Sequence, residues 1–153
     1  MEADFKLLVA SELFGSGEAI NRLDQALSAL PQVDFKTTHQ LVGGIYTRTI
    51  HIPAGVAIVG AVHKTDHVNV VTGDITVSTS EGQRRLTGSH VLLLTKAGTQ
   101  RAGYAHADTT WTAICRTDKT EIEDIEADLV ETPQRLQTRN PAIGCAPLVR
   151  LEN

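Results

Sequence analysis

A series of short apolar runs between residues 46 and 116 constrains the fold more than any other feature of this sequence. The runs are rich in Val, Ile and Thr, and turn residues such as Pro53-Ala54-Gly55, Ser80-Glu81-Gly82 and Lys96-Ala97-Gly98 separate them at regular intervals. Runs of this composition and spacing are typical of strands in an all-β sandwich or barrel. No helix-length pattern lies between them, so we expect about eight strands and exclude parallel βαβ units.

The segments on either side of these runs differ from them. Apolar residues recur every three or four positions over 18–30, which predicts a helix that Pro31 ends. Residues 2–14 are compatible with a short helix or a strand. A second helix with an acidic, solvated face is predicted over 119–130, and the proline-containing remainder predicts an extended arm that docks on the barrel or on a second subunit. The predicted organisation is one compact domain made of an N-terminal helical segment and lead-in (1–45), a barrel (46–117) and a C-terminal helix and arm (118–153).

Composition and charge exclude several classes of function. The chain has 153 residues, of which 41% are hydrophobic and 21% charged, and its net charge is −4. A general nucleic-acid-binding protein needs a basic face, which this balance does not provide. No apolar run approaches the length of about 20 residues that is needed to span a bilayer. The two cysteines form neither a disulfide framework nor a metal-knuckle spacing, and the first residues do not resemble a secretory signal, so a cytoplasmic protein is expected.

The stretch GAVHKTDHVNVVTG, residues 60–73, carries the candidate site. It places His63, His67 and Asn69 at odd positions of an apolar run and ends at Gly73-Asp74, a pair typical of a hairpin turn. Side chains alternate between the two faces of a strand, so these three polar groups would point the same way. Three converging polar side chains inside a short barrel predict a small-molecule or metal site.

Several of these segments together resemble a known family. IHIPAG, HKTDHVNVVTGDITV, LLLTKAGTQRAGYAHADTTW and the acidic helix that follows are similar to the cupins, in particular to small uncharacterised cupin-like proteins of bacteriophages and prophages. The resemblance covers about Thr47 to Cys115. It implies an all-β fold, a single antiparallel jelly-roll barrel with an N-terminal helix and a C-terminal helix plus extended tail. It also implies that the protein is located in the cytoplasm of a phage-infected or lysogenic bacterial host.

The resemblance also bears on metal binding, because a cupin metal site gathers three imidazoles and a carboxylate. Here His63 and His67 are the metal candidates, and either Ala61 or Thr65 replaces a further ligand, depending on where the first motif is anchored. Arg101 stands where the second motif carries its last histidine, and a guanidinium is not a metal ligand. The cofactor expectation is therefore either none or a divalent metal at His63 and His67.

The same residues predict a different use as a binding pocket. The candidate ligand-binding residues are His63, His67, Asn69, Arg101 and Tyr104. They supply hydrogen-bond donors and one fixed positive charge, and an arginine fork matches the geometry of a carboxylate or phosphate. The expected ligand is a small anionic or polar molecule. The alternative is that the two histidines only form hydrogen bonds inside the barrel, as buried polar groups must.

Three functions therefore remain open at the level of sequence. The first is a cupin-like, non-catalytic binding protein that forms a homo-oligomer, a dimer or higher. The second is a metal-dependent cupin enzyme that uses His63 and His67, with His51 as the candidate third ligand. The third is a structural or assembly protein of a phage with a packed barrel. No P-loop, dinucleotide fingerprint or nucleophile elbow is present, so the catalytic residues are unknown.

Overall fold

The computed structural model describes residues 17–151, which form one eight-stranded sheet and two α-helices. The helices are α1 (Gly17–Ser28) and α2 (Ile122–Leu129). The strands are β1 (Thr38–Val42), β2 (Ile45–Ile52), β3 (Ala57–Val59), β4 (His67–Thr79), β5 (Gly82–Thr95), β6 (Ala102–Ala105), β7 (Thr109–Arg116) and β8 (Leu148–Arg150). Two 3-10 turns, Pro133–Arg135 and Gln137–Arg139, lie between α2 and β8.

The long hairpin of β4 and β5 organises the sheet. The first part of β4 pairs with β7, and its second part pairs with β6 on the same edge, while β5 follows the other edge throughout. Because β4 leaves one neighbour and joins another, the sheet bends around an inner face. The strand order is β3-β6-β4-β7-β2-β1-β8, with β5 attached to β4.

Gly73 lies at this bend, between the two parts of β4. Its φ is +136°, and a Cβ at this position would lie 2.6 Å from Thr109 Oγ1 and 2.7 Å from the Asp108 carbonyl oxygen. Only glycine allows both the backbone conformation and the close approach of β7. The prediction that Gly73-Asp74 forms a hairpin turn is therefore wrong. The chain turns after Thr79 instead, and Gly73 follows a bulge in which Thr72 of β4 lies opposite Ser89 and His90 of β5.

The sheet is mixed, which corrects the expectation of a single antiparallel barrel. Six of the strand pairings within residues 17–151 are antiparallel, but β8 lies parallel to β1, with Leu148 opposite His39. After β7 the chain passes through α2 and the two 3-10 turns, and β8 then runs beside β1 in the same direction. Both β1 and β8 lie outside residues 46–117, whose limits stay a prediction.

Both helices are confirmed, with shorter bounds than predicted. The first ends at Ser28, and the second begins at Ile122, where Glu121 precedes it without a side-chain cap. The interpretation of residues 2–14 concerns positions outside the described residues. Between Gly17 and Leu151, no helix is long and apolar enough to cross a membrane.

Three apolar clusters hold the elements together. The first lies beneath α2 and the C-terminal segment, and the second lies along the inner face of the bent sheet. In the third, Ile20 and Leu23 of α1 pack against Ala102 of β6. The helical stripe predicted from the sequence is thus the face that buries α1. This packing brings α1 and the 3-10 segment to the inner face of the sheet, where they contribute to the walls of a cavity.

Candidate functional site

The inner face of the sheet contains a cavity of about 270 Å³. Strands β2 to β7, the loops around β3 and β6, helix α1 and the segment 132–137 all contribute to its lining. Its walls include apolar side chains such as Ile50, Val59 and Leu136, with a few polar groups among them. Binding sites for small molecules have this composition, mostly apolar with a small number of placed polar groups.

Strand register explains how Arg48 and Asn69 come to line the same space. Arg48 of β2 pairs with Ala113 of β7, and Ala113 pairs on its other side with Asn69 of β4. The three residues form one row across the inner face, and all three line the cavity. Because Ala113 carries only a methyl group, the space between the two longer side chains stays open.

The Arg48 guanidinium has no partner of its own within the described part of the chain. Its Nε is buried without a hydrogen-bond partner, and no hydrogen bond or ion pair joins its other nitrogens to a residue between 17 and 151. A buried donor without an acceptor is costly, and a charged donor more so. The Arg48 side chain is therefore available to a ligand.

Arg101 is held on the other side of the cavity and also keeps a free donor. Its Nη1 donates to the Ser78 carbonyl oxygen at 3.1 Å, and its Nη2 lies 3.5 Å from Thr95 Oγ1. Its Nε is buried and has no hydrogen-bond partner in the described part of the chain. Burial lowers the pKa of Arg101, and the like charge of Arg84 adds to this effect. Neither Arg48 nor Arg101 forms an ion pair with a described carboxylate.

His63 and His67 form a face-to-face pair in the same cavity. Their ring centroids are 3.9 Å apart with an interplanar angle of 21°. Burial lowers the pKa of His63 to about 4, and the nearby His67 and Arg48 add to this shift. Burial also lowers the pKa of His67, against a raising contribution from its hydrogen bond to the Thr65 carbonyl. Both imidazoles are therefore neutral at pH 7.

Cys115 borders this histidine pair. Its Sγ lies 3.8 Å from His63 Nδ1, and burial raises the pKa of the thiol to about 11. A thiol with a raised pKa is a weak nucleophile at neutral pH, which agrees with the interpretation of Cys115 as a small core residue.

Asn69 is fixed by hydrogen bonds through both ends of its amide. Trp111 Nε1 donates to Asn69 Oδ1 at 2.9 Å, and Asn69 Nδ2 donates to Thr95 Oγ1 at 2.9 Å. Since Arg101 also approaches Thr95 Oγ1, the four side chains form one polar chain along the wall. Satisfied buried networks of this kind fix the positions of their members.

The cavity lining brings together four of the five predicted ligand-binding residues. His63, His67, Asn69 and Arg101 all line it. Tyr104 does not: its ring meets that of His106 edge-on, with centroids 5.2 Å apart. Sequence reasoning missed Arg48, although the run IYTRTIHI carries the signal. Its even positions, Tyr46 to Ile52, form the buried face of β2, and an arginine stands among them.

The donor set does not fit the metal that the resemblance implies. Between residues 17 and 151, no group of three or more His, Cys, Asp or Glu side chains could hold an ion. His63 and His67 supply two imidazoles, Asn69 already uses both ends of its amide, and two guanidiniums share the space. His51, the candidate third ligand, lies on the exposed face of β2. Transition-metal sites need three or four protein ligands, so this lining does not fit a transition metal.

Comparisons with known proteins give structural similarity only. No family model matches the chain, and no curated protein matches its sequence. It is similar to a cupin-2 domain protein from Shewanella frigidimarina, with 11% identity over 61% of this chain and 91% of that one and a TM-score of 0.45. A cupin domain from Bordetella pertussis gives 18% identity over 58% and 99%, with a TM-score of 0.44. A cupin superfamily protein from Desulfitobacterium hafniense gives 10% identity over 60% and 86%, again with a TM-score of 0.44. These values are too low to place the chain in a family.

Proposed function

We propose that this protein is a cupin-like binding protein for a small anionic or polar molecule, which Arg48 and Arg101 hold in the cavity. One observation carries the proposal: two guanidiniums enter the same cavity, each with a buried Nε that has no partner among the described residues. Arginine is well suited to carboxylate and phosphate, since its planar fork donates parallel hydrogen bonds to them.

The energetic argument favours a ligand over a purely structural role for these arginines. Several surface arginines in this chain form ion pairs, as Arg85 does with Asp74 at 2.7 Å. Arg48 and Arg101 have no such partners among the described residues. Leaving a neutral buried donor without an acceptor costs about 1–3 kcal/mol, and leaving a charged one costs more. An anion in the cavity would remove that cost.

The alternative functions have less support. A packed barrel does not agree with a cavity of about 270 Å³, and a metal-dependent enzyme would lack a third ligand for His63 and His67 among residues 17–151. The phage or prophage origin, the cytoplasmic location and the homo-oligomer, a dimer or higher, stay proposals. For the oligomer, the exposed side chains of Leu92 and Leu94 on β5 offer an apolar surface for a second copy.

Isothermal titration at pH 7 tests the proposal with acetate, inorganic phosphate and glutarate as probes, and glutaramide as the uncharged control. We expect at least one anion to bind while glutaramide does not. Replacing Arg48 or Arg101 with Gln is expected to weaken that binding about tenfold or more, because each removes hydrogen bonds to a charged group worth about 1.5–3 kcal/mol.

The matched control is Arg116→Gln, which removes an exposed arginine from β7 outside the cavity lining. It should bind the anion as the unmodified protein does. Equal affinity in the Arg48→Gln, Arg101→Gln and Arg116→Gln variants would contradict the proposal, as would binding of glutaramide as tight as that of glutarate. Native mass spectrometry of freshly purified protein adds the mass of any ligand that it retains.

A further inference from the structure

The charges that line the cavity do not balance. Among the lining residues between 17 and 151, the charged groups at pH 7 are three arginines and one aspartate, namely Arg48, Arg101, Arg135 and Asp24. Asp24 Oδ2 and Arg135 Nη1 lie 2.6 Å apart and neutralise one another. Both histidines are uncharged, since their pKa values are lowered. The lining therefore has a net charge of +2, which belongs to Arg48 and Arg101.

These two charges enter the cavity from different sides. Arg48 stands on β2, whereas Arg101 contacts Thr95 on β5. β2, β7, β4 and β5 are successive neighbours in the sheet, so three inter-strand spacings, about 14 Å along the sheet, separate the backbone of Arg48 from that of Thr95.

We propose that the ligand is a small dianion with two separated anionic groups, one for each arginine, such as a short aliphatic dicarboxylate. This inference rests on the proposed function and specifies the class of its ligand. A dianion balances the net charge of +2, and each carboxylate meets one unpartnered Nε. One monoanion would leave one of the two guanidiniums without a partner.

The remaining walls suit the carbon chain of such a ligand. Ile50, Val59 and Val62 are apolar, and the stacked imidazoles present neutral rings. A cavity of about 270 Å³ has room for a short dicarboxylate such as glutarate or adipate.

Calorimetric titration of the full chain at pH 7 compares adipate with hexanoate, which has the same carbon chain and one carboxylate. Adipate is expected to bind about ten- to hundredfold more tightly, because it fills both arginine positions. Arg48→Gln is expected to remove most of this advantage, so that adipate and hexanoate bind with similar affinity. The Arg48 side chain donates no hydrogen bond to a residue between 17 and 151, so the substitution leaves the described hydrogen bonds intact.

The outcomes separate this inference from the proposed function. Equal affinity of hexanoate and adipate for the unmodified protein, together with weaker binding of both by Arg48→Gln, would overturn the dianion and leave an anion site. An adipate advantage that persists in Arg48→Gln would also overturn it, since one arginine would then suffice. No binding of adipate, hexanoate, acetate or inorganic phosphate would contradict the proposed function itself.

Discussion

Replacing Gly73 with alanine tests whether the bend in β4 depends on the missing side chain. The new Cβ would lie 2.6 Å from Thr109 Oγ1 and 2.7 Å from the Asp108 carbonyl oxygen, so β7 would have to move. Forcing extra atoms into a packed site costs about 1–3 kcal/mol. A positive φ in a residue with a side chain costs about 1–3 kcal/mol more. We expect the free energy of unfolding to fall by about 2–6 kcal/mol.

Gly88→Ala is the matched control, because Gly88 pairs directly with Gly73 across the hairpin. Its φ is +104°, but a Cβ there meets nothing within 4 Å, so only the backbone cost of about 1–3 kcal/mol applies. Urea denaturation followed by the fluorescence of Trp111, the one tryptophan of the chain, measures both variants. Equal losses of stability in the two variants would refute the contact with β7 as the reason for glycine at position 73.

Four further predictions concern the buried polar groups, the cavity and the surface. Asn69→Ala is expected to lower the free energy of unfolding by about 1–3 kcal/mol, since it leaves the partly buried indole N–H of Trp111 without its acceptor. A loss below about 0.5 kcal/mol in urea denaturation would contradict this. The pKa values of His39 and His63 fall from 6.5 to about 4 on folding, so the unfolded chain binds more protons between these pH values. The free energy of unfolding should therefore be highest above pH 6.5 and decline toward pH 4 by about 1–3 kcal/mol per pH unit. A flat stability profile between pH 6.5 and pH 4 would disprove this prediction. Arg48→Met keeps the length of the side chain and removes an unpartnered charge, so thermal melting without ligand should occur at a higher temperature; a lower melting temperature would indicate that Arg48 stabilises the fold. If two copies associate through β5, Leu94→Glu should yield a smaller species in sedimentation velocity, and an unchanged species would exclude that surface.

Much of the fold could be predicted from local patterns in the sequence. The stripe on α1 and the alternation in β2 are regular because each element has one buried face. The bend at Gly73 could not be predicted, since a glycine in a hairpin turn and one beside a bulge look alike without the neighbouring strand. The parallel pairing of β8 with β1 could not be predicted either, because a three-residue strand shows no alternation of apolar and polar residues and its partner is distant in sequence.

The candidate site was predictable in its β4 part and less so elsewhere. His67 and Asn69 lie two positions apart on β4, so strand periodicity brought them together, whereas His63 precedes the strand and forms an isolated bridge with Val130. Arg101 followed from the family motif. Arg48 was missed because its proximity to Asn69 comes from the register of three strands, which local periodicity does not determine. Tyr104 was included for its closeness in sequence to Arg101, and closeness in sequence does not guarantee a shared face.

The parallel pairing of β8 with β1 has a consequence for the order in which the protein opens. It joins Leu148 to His39, residues 109 positions apart (148 minus 39), through a strand of three residues. Closing a loop of this length costs about 4 kcal/mol of chain entropy, which so short a strand cannot offset before the rest of the sheet exists. β8 therefore forms last and detaches first. In hydrogen exchange, amides of β1 that bond to β8 should exchange by local opening, and those between β4 and β5 only by global unfolding.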